Sequence, residues 1–259
     1  MASGPDPIME ALLEQIAPVE DETFINVCIY GDPGVGKTVL AATAPKPLFL
    51  DVENGFISVK NHPELHAAAR RMRFIGVKAV ERLAEKVLDG HFSEYETFVI
   101  DTFTALQDRA LKEFTIAAYK KNPNLREDAY TPEGKDYQRN TEMLKHIVSL
   151  FRDAEKHVIF LCHSKEDKDE RTGAIFTRPQ LTPKLAGKLV ADCSVVGHMT
   201  LSGGKNGEPV VRRLQILPSP TVHAKSRIGG LPAVLVNPHF DMFVNPENYT
   251  FDNESEQTA

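Results

Sequence analysis

The segment with the clearest chemical meaning is GDPGVGKT, residues 31–38, which we call the phosphate loop. In such a segment the glycines let successive backbone N–H groups turn toward phosphate oxygens, the lysine reaches the β- and γ-phosphates, and the threonine hydroxyl ligates Mg²⁺. The apolar run FINVCIY precedes it and a helical pattern follows, which is the strand–loop–helix context that this chemistry requires. We therefore predict a site for a nucleoside triphosphate and Mg²⁺. The residues expected to bind the triphosphate are Gly31, Asp32, Pro33, Gly34, Val35, Gly36, Lys37, Thr38 and Val39.

Two acidic residues follow apolar runs and could act on the same triphosphate. Asp101 ends the run TFVID, and Glu53 comes shortly after the run that ends at Asp51. The carboxyl ends of parallel strands face one ligand crevice, so both side chains would point toward the γ-phosphate. Asp101 would hold Mg²⁺ together with Thr38, and Glu53 would be the general base on the attacking water. The alternative is that Asp51 or Glu53 only caps the following turn, as strand-terminal carboxylates often do.

The elements that would position these residues alternate between apolar runs and helical patterns. The strand candidates occupy residues 24–30, 47–51, 72–77, 97–101, 158–162, 194–201 and 210–217. The helical patterns occupy residues 37–43, 79–88, 103–120, 142–155 and 183–191. Continuous apolar runs alternating with helices predict an α/β fold, with a mostly parallel sheet between helices. The Gly- and Asn-rich turn between the last two strand candidates predicts an antiparallel hairpin at one edge of the sheet.

Length and composition predict one folded domain with short extensions. The chain has 259 residues, of which 42% are hydrophobic, and a net charge of −6. We divide it into an N-terminal extension at 1–23 with a short helix at 8–16, a core at 24–243 and an acidic, disordered tail at 244–259.

Composition also excludes several classes of protein. No stretch approaches the roughly 18 apolar residues of a membrane span, and the start lacks a secretory signal pattern, so we expect no membrane partner. Cys28, Cys162 and Cys193 are odd in number and far apart. That spacing argues against a disulfide framework or a zinc site and indicates a reducing cytoplasm. The acidic balance argues against coating nucleic acid by bulk charge.

Together these motifs resemble those of the RecA-like P-loop ATPases. The resemblance is greatest to the core-only RecA-like proteins of bacteriophages, nucleotide-binding AAA-type ATPases that anneal single strands in recombination. It covers about residues 24–243 and rests on the segments LFLDVENG, VIDTFTALQD, VIFLCHSKED and AKSRIGGLP. It implies a RecA-like fold, ATP as the nucleotide, Glu53 as the catalytic glutamate and a place in the bacterial host cytoplasm. It also implies that His163 senses the γ-phosphate, although a lone histidine there can equally be structural.

The resemblance further implies self-assembly into a ring or a filament. Lys225 and Arg227 would lie on one side of an extended segment and reach the nucleotide of a neighbouring subunit, neutralising transition-state charge as an arginine finger does. A solvated basic turn is the alternative. The segment FTIA at 114–117 matches a polymerisation tetrapeptide of related recombinases, but it lies inside a predicted helix and we interpret it as core.

By the same resemblance, two long segments, 120–140 and 164–180, would correspond to the RecA loops that bind single-stranded DNA, with a single-strand-binding protein as a candidate partner. Basic residues with interleaved aromatics suit a single strand, because phosphates need cations and unstacked bases need an aromatic face. Acidic neighbours nearly cancel the charge of the second segment, so solvated loops without a ligand are the alternative. The candidate DNA-binding residues are Lys121, Arg126, Tyr130, Lys165, Lys168, Arg171, Phe176 and Arg178.

Two other functions stay open at this point. A small-molecule kinase acting on a nucleoside or nucleotide would close several arginines over its acceptor, and the arginine cluster ARRMR at 69–73 is the candidate for that role. The Asp-x-Glu motif has no evident part in such a reaction. A regulatory P-loop ATPase would use the same site without touching DNA. A ring-forming AAA+ enzyme is disfavoured, because Thr102 rather than a glutamate follows Asp101.

Overall fold

The computed structural model describes residues 24–170, 172–203 and 209–251. The short helix predicted at 8–16, the candidate residue Arg171 and residues 252–259 lie outside the described residues.

Strands and helices alternate along the described chain. The strands are β1 (Asn26–Tyr30), β2 (Pro47–Asp51), β3 (Arg70–Arg73), β4 (Thr97–Asp101), β5 (His157–Cys162), β6 (Ser164–Lys168), β7 (Ile175–Pro179), β8 (Val195–Ser202), β9 (Val211–Gln215), β10 (Lys225–Ser226) and β11 (Val234–Val236). The α-helices are α1 (Lys37–Ala42), α2 (Pro63–Ala68), α3 (Val77–Leu88), α4 (Phe103–Lys121), α5 (Gly134–Arg152), α6 (Pro183–Asp192) and α7 (Asp241–Val244). Short 3₁₀ helices occupy Phe56–Asn61, Pro123–Leu125 and Pro246–Asn248.

One mixed sheet carries the candidate site. Its strand order is β11-β9-β8-β1-β5-β4-β2-β3, and β10 also pairs with β8. Pairing is parallel from β3 through β8 in this order, whereas β9, β10 and β11 are added by antiparallel pairing. This arrangement confirms the predicted α/β fold with a mostly parallel sheet.

The register of the parallel strands brings their carboxyl ends to one edge of the sheet. Tyr30 of β1 pairs with Cys162 of β5, and Asp101 of β4 pairs with Asp51 of β2. Asp101 also pairs with Leu161 of β5, the residue before Cys162. The loops that follow these four strands therefore emerge side by side, as a ligand crevice at strand ends requires.

The two faces of the sheet pack against different helices. Cys28 and Tyr30 of β1 belong to the apolar cluster formed with α3, α4, α5 and α6, whereas Val27 and Ile29 belong to the cluster formed with α1 and α7. Side chains alternate between faces along a strand, so β1 is covered on both sides. This packing holds the start of the phosphate loop in place.

The last side chain of β1 also anchors two distant segments. The hydroxyl group of Tyr30 lies 3.1 Å from the carbonyl oxygen of Thr177 in β7 and 3.0 Å from that of His223, just before β10. Strands β6 and β7 form a separate two-stranded hairpin. Tyr30 therefore ties this hairpin and the chain leading to β10 to the central strand.

Several predicted boundaries were wrong. The strand expected at 72–77 is β3, Arg70–Arg73, and Val77 already begins α3 after Gly76. Within the described segments β3 pairs only with β2, so its exposed charged residues are tolerated at a sheet edge. The predicted hairpin of β8 and β9 is present, but it does not form the edge, because β11 pairs with β9.

The two predicted loops are shorter than expected. Helix α5 begins at Gly134 rather than at 142, because Glu133 and Asp136 form a reciprocal capping box at its start. The first loop therefore covers 122–133, and the second predicted loop is the β6–β7 hairpin.

The tail predicted to be disordered from residue 244 begins with folded chain. The hydroxyl of Tyr249 donates to Asp241 Oδ2 at 3.0 Å, and Phe251 packs against the apolar cluster around α1 and α7. The folded core therefore continues beyond the predicted boundary.

Candidate active site

The phosphate loop turns from β1 into α1 through two glycines with left-handed backbone conformations. Gly34 has φ 84° and Gly36 has φ 102°, values that strain any residue with a side chain. The side chain of Arg212 packs against Gly36, since a Cβ there would lie 2.4 Å from Nε of Arg212. These left-handed backbone conformations therefore explain why both positions are glycine.

Lys37 lies at the start of α1 and is only 6% exposed. Its Nζ donates to the carbonyl oxygens of Gly31 at 2.8 Å and Asp32 at 2.9 Å. Burial lowers the pKa of the ammonium group, and the nearby carboxylates, Asp101 first, oppose that shift. Because its direct partners are neutral carbonyl oxygens, the lysine can exchange them for phosphate oxygens without breaking an ion pair.

Thr38 and Asp101 form the predicted metal-binding pair. The Thr38 hydroxyl donates to Asp101 Oδ2 at 2.9 Å. Burial raises the pKa of Asp101 to about 6, while the hydrogen bond from Thr38 opposes this rise. A positive ion beside this carboxyl group would favour its charged form.

The donor set suits Mg²⁺. A hydroxyl and a carboxylate are hard oxygen ligands, and Mg²⁺ is typically held by one or two carboxylates, substrate phosphates and water. Among the described residues, no group of three or more His, Cys, Asp or Glu side chains is placed to hold a metal ion. The remaining ligands would have to come from the nucleotide and water.

Glu53 accepts two hydrogen bonds on the same oxygen. The Thr102 hydroxyl lies 2.7 Å from its Oε1, and Nε2 of His163 lies 2.8 Å from it. The bond from His163 is the main cause of a lowered pKa at Glu53, and Thr102 adds to it against the effect of burial. Glu53 is therefore an ionised carboxylate held at the edge of the crevice.

Asp51, not Glu53, takes the turn-capping role considered from the sequence. Its Oδ1 accepts from the backbone N–H of Gly55 at 3.1 Å, and its Oδ2 lies 3.1 Å from the Arg71 guanidinium. Asp51 is 2% exposed, so both carboxylate oxygens are engaged in structure. This leaves Glu53 as the carboxylate available to a water molecule.

His163 and Ser164 connect the site to the β6–β7 hairpin. His163 lies between the end of β5 and the start of β6 and bonds to Glu53 as described, and Ser164 is the first residue of β6. The Ser164 hydroxyl donates to Asp32 Oδ1 in the phosphate loop. Two consecutive residues thus contact both the loop and the candidate base.

These groups surround a cavity of about 330 Å³. It is lined by Pro33, Gly34, Gly36, Lys37, Thr38, Val39, Glu53, Gly55, Ser58, Asn61, His62, Asp101, Thr102, His163 and Arg212. The sequence analysis missed Thr102 as a partner of Glu53 and missed Arg212 entirely. The alternation of Arg212 with the apolar residues Leu214 and Ile216 is the signal that could have placed it on a covered face.

Lys225 and Arg227 lie near the amino ends of the parallel strands, and the phosphate loop lies at the carboxyl ends. Nζ of Lys225 donates to the carbonyl oxygens of Val190, Ala191 and Cys193 at 2.7, 3.2 and 2.8 Å. Arg227 donates to the same Ala191 oxygen at 2.9 Å, so both side chains point to the carboxyl end of α6. Neither contacts the nucleotide cavity of its own chain.

The candidate DNA residues of the first loop have different surroundings. Lys121 ends α4 and is exposed, and Tyr130 is 75% exposed. Arg126 instead forms a two-pronged ion pair with Asp136 at 2.6 and 2.8 Å, and its side chain is 9% exposed. It helps to hold the start of α5.

Within the β6–β7 hairpin, Lys165 pairs with Arg178 and Asp167 pairs with Phe176. These four side chains share one face, and Lys168 lies on the other, because strand side chains alternate. Arg178 Nε donates to Asp167 at 2.8 Å, whereas Lys165 and Lys168 are exposed.

The tetrapeptide at 114–117 lies inside α4, as interpreted from the sequence. Phe114 is 4% exposed, and the Arg139 guanidinium lies 4.7 Å from its ring centroid. The phenylalanine is part of the core.

The fold and this site define a P-loop nucleoside triphosphatase of the α/β class. Residues 23–228, most of the chain, match the family model for an AAA domain. The chain therefore belongs to this family and is an AAA-type P-loop ATPase. AAA ATPases use ATP, typically with Mg²⁺, and often oligomerise.

No curated protein matches the chain. The helices of the described segments include none that combines the length and apolar character needed to cross a bilayer. Thr102 after Asp101 does not place the chain outside the AAA-type ATPases. Here a carboxylate at the same edge of the sheet comes from Glu53, after the neighbouring strand.

Proposed function

We propose that this protein is an ATP-dependent DNA-recombination protein that binds single-stranded DNA and promotes its annealing or pairing. Its partners would be single-stranded DNA, further copies of the chain and a single-strand-binding protein, in the cytoplasm of a bacterial host. The resemblance to the bacteriophage RecA-like proteins supports the DNA part of this proposal. The family match and the site geometry support the ATPase part.

The phosphate loop, Glu53, Asp101 and His163 each have a defined task in hydrolysis. The phosphate loop and Lys37 bind the β- and γ-phosphates, and Glu53 orients the attacking water and accepts its proton. Thr38 and Asp101 would hold Mg²⁺, which supplies positive charge to the phosphate oxygens when bound. His163 would report the γ-phosphate to the hairpin that follows it.

The observation that carries the proposal is the contact between Glu53 and His163. His163 bonds to the catalytic carboxylate and directly precedes the β6–β7 hairpin, one of the two candidate DNA-binding segments. Ser164, the first residue of that hairpin, bonds to Asp32 of the phosphate loop. A hairpin displaced by DNA would therefore shift the hydrogen-bond partner of the base. This offers a direct physical route from DNA binding to the rate of hydrolysis.

The proposed DNA surface uses only residues whose side chains are accessible. Lys165 and Phe176 share one face of the hairpin, with a cation for a phosphate beside an aromatic ring for a base. Lys121 and Tyr130 provide the same combination in the first loop. Arg126 and Arg178 contribute less, because each already has a carboxylate partner.

Lys225 and Arg227 would complete the site of a neighbouring subunit. They lie near the amino ends of the parallel strands, at the opposite end from their own phosphate loop. A head-to-tail contact between copies would therefore bring them to the nucleotide of the neighbouring subunit. Such a contact generates a ring if it closes and a filament if it does not.

A kinase is less well supported by the geometry. Arg71, the central arginine of the cluster considered for an acceptor site, is paired with Asp51, and Arg70 donates to the carbonyl oxygens of Ala67 and Ala69. These arginines therefore have structural partners.

The decisive experiment measures ATP hydrolysis with and without single-stranded DNA, and with nucleosides in its place. We expect stimulation by DNA and none by nucleosides. Lys165→Ala should reduce the stimulation but not the basal rate, and Lys112→Ala, an exposed lysine on α4, is the control. Stimulation by nucleosides alone would indicate a kinase, and no response to either would indicate a regulatory ATPase.

A further inference from the structure

We propose that Arg212 is a nucleotide-binding residue of its own chain's site and contacts the α- and β-phosphates of ATP or ADP. The proposal rests on the proposed ATPase function. It extends the site to β9, beyond the phosphate loop and the acidic strand ends.

Arg212 lies on the face of β9 that contributes to the apolar cluster around α1 and α7. Leu214, two residues later, is buried in the same apolar cluster as Leu40 of α1, and side chains two apart in a strand share a face. The adjacent Arg213 has the opposite orientation, is exposed, and donates from Nε to the Ser202 hydroxyl at 3.3 Å. The chain thus provides two neighbouring arginines of which one faces the cavity.

The side chain of Arg212 packs directly on the phosphate loop. A Cβ at Gly36 would lie 2.4 Å from its Nε and 2.9 Å from its Cδ. In a phosphate loop the backbone N–H groups cradle the α- and β-phosphates. A guanidinium beside that backbone is therefore close to these phosphates, and its planar donors match phosphate oxygens.

The charges around Arg212 indicate an anionic ligand. Its Nε is buried without a hydrogen-bond partner, and in the described part of the chain its guanidinium forms no ion pair with a carboxylate. Lys37 lines the same cavity and bonds only to carbonyl oxygens. Two cations without a carboxylate partner are thus adjacent, and a buried unpaired donor is unfavourable until an acceptor arrives. Phosphate oxygens would satisfy both.

The test is calorimetric titration of ATP and of ADP into the wild type, Arg212→Met, Arg212→Lys and Arg213→Met. We expect Arg212→Met to raise both dissociation constants by about ten-fold or more, since charge-assisted hydrogen bonds are lost. Arg212→Lys keeps the charge without the planar fork, so its constants should lie between those of the wild type and Arg212→Met. Arg213→Met should bind like the wild type, and equal urea midpoints would show that the variants are folded.

An unchanged dissociation constant in Arg212→Met would overturn the proposal, and an unchanged constant in Arg212→Lys together with a misfolded Arg212→Met would do the same. Weakened ATP binding with normal ADP binding would place Arg212 at the γ-phosphate and contradict the assignment. A wild type that binds neither nucleotide would refute the proposed ATPase function itself. Absence of DNA stimulation alone would refute only the DNA part of that function.

Discussion

Nε2 of His163 lies 2.8 Å from Oε1 of Glu53, a residue 110 positions earlier in the chain. The contact joins the end of β5 to the loop after β2, across the intervening β4. An ionised carboxylate can only accept, so Nε2 carries the proton in this bond. The candidate base is therefore held by the residue that leads into the β6–β7 hairpin.

Replacing the base should separate binding from turnover. Glu53→Gln keeps an oxygen acceptor for Thr102 and His163 but cannot take a proton from water, so we expect near-normal ATP affinity and turnover lower by about 10²–10⁴-fold. Steady-state hydrolysis and equilibrium ATP binding measure the two effects. Glu94→Gln, at an exposed surface glutamate, is the control. Unchanged turnover in Glu53→Gln would remove this residue from the mechanism.

Mixing two impaired variants should partly restore activity if the sites are shared between subunits. Lys37→Ala should lose nucleotide binding or hydrolysis, and Arg227→Ala should retain binding but hydrolyse slowly. In an equal mixture with random head-to-tail contacts, about a quarter of the sites combine an intact Lys37 with a neighbour's intact Arg227. Arg227 is the better target, because Lys225 also bonds three carbonyl oxygens at the end of α6. No recovery in co-assembled variants would argue against action between subunits.

The Arg126–Asp136 pair should make stability depend on pH. Arg126 is the main cause of the lowered pKa of Asp136. This stabilisation is present above the ordinary aspartate pKa and is lost as pH falls through the lowered folded value. We therefore expect Arg126→Met to reduce the urea midpoint at pH 7, and the difference from wild type to shrink in acid. Lys121→Met is the exposed control, and an equal loss in both variants would contradict a specific role for the pair.

Asp101 should have the opposite pH dependence. Its folded pKa of about 6 lies above the ordinary value, so its ionisation opposes folding as pH rises from about 4 to 6. In the absence of Mg²⁺, Asp101→Asn should be more stable than wild type at pH 7.5, by up to about 3 kcal/mol, and nearly equal to it at pH 4. The same change should abolish the Mg²⁺ dependence of ATP binding. Urea unfolding in chelator at both pH values tests the first effect, and lower stability of Asp101→Asn at pH 7.5 would refute it.

The parts of the site that the sequence could predict are those encoded by consecutive residues. The phosphate loop combines its glycines, lysine and threonine in one segment, and Asp101 directly ends a buried strand. Burial of a strand on both faces leaves a continuous apolar run, so the positions of most parallel strands along the chain could also be predicted. These local signals led to the correct α/β fold.

The parts that could not be predicted depend on contacts between distant segments. Arg212 reaches Gly36 only because β9 pairs with β8, and its own neighbours in sequence give no hint of a phosphate. Arg126 lies in a segment whose basic and aromatic residues are typical of a DNA-binding loop, yet its ion-pair partner Asp136 lies in the next helix. Charged residues on the edge strand β3 hid where it begins, since they suggest a loop or a ligand site, so the strand was predicted from 72 rather than from Arg70.

The phenol of Tyr30 has one proton and faces two carbonyl oxygens, so it satisfies those of Thr177 and His223 only in turn. Tyr30→Phe would remove this hydroxyl donor from both carbonyl oxygens and keep the aromatic ring in the core. The β6–β7 hairpin and the chain before Lys225 would then both lose the hydrogen-bond donor that they share. Mobility in one of these distant surface regions is thus expected to rise together with mobility in the other.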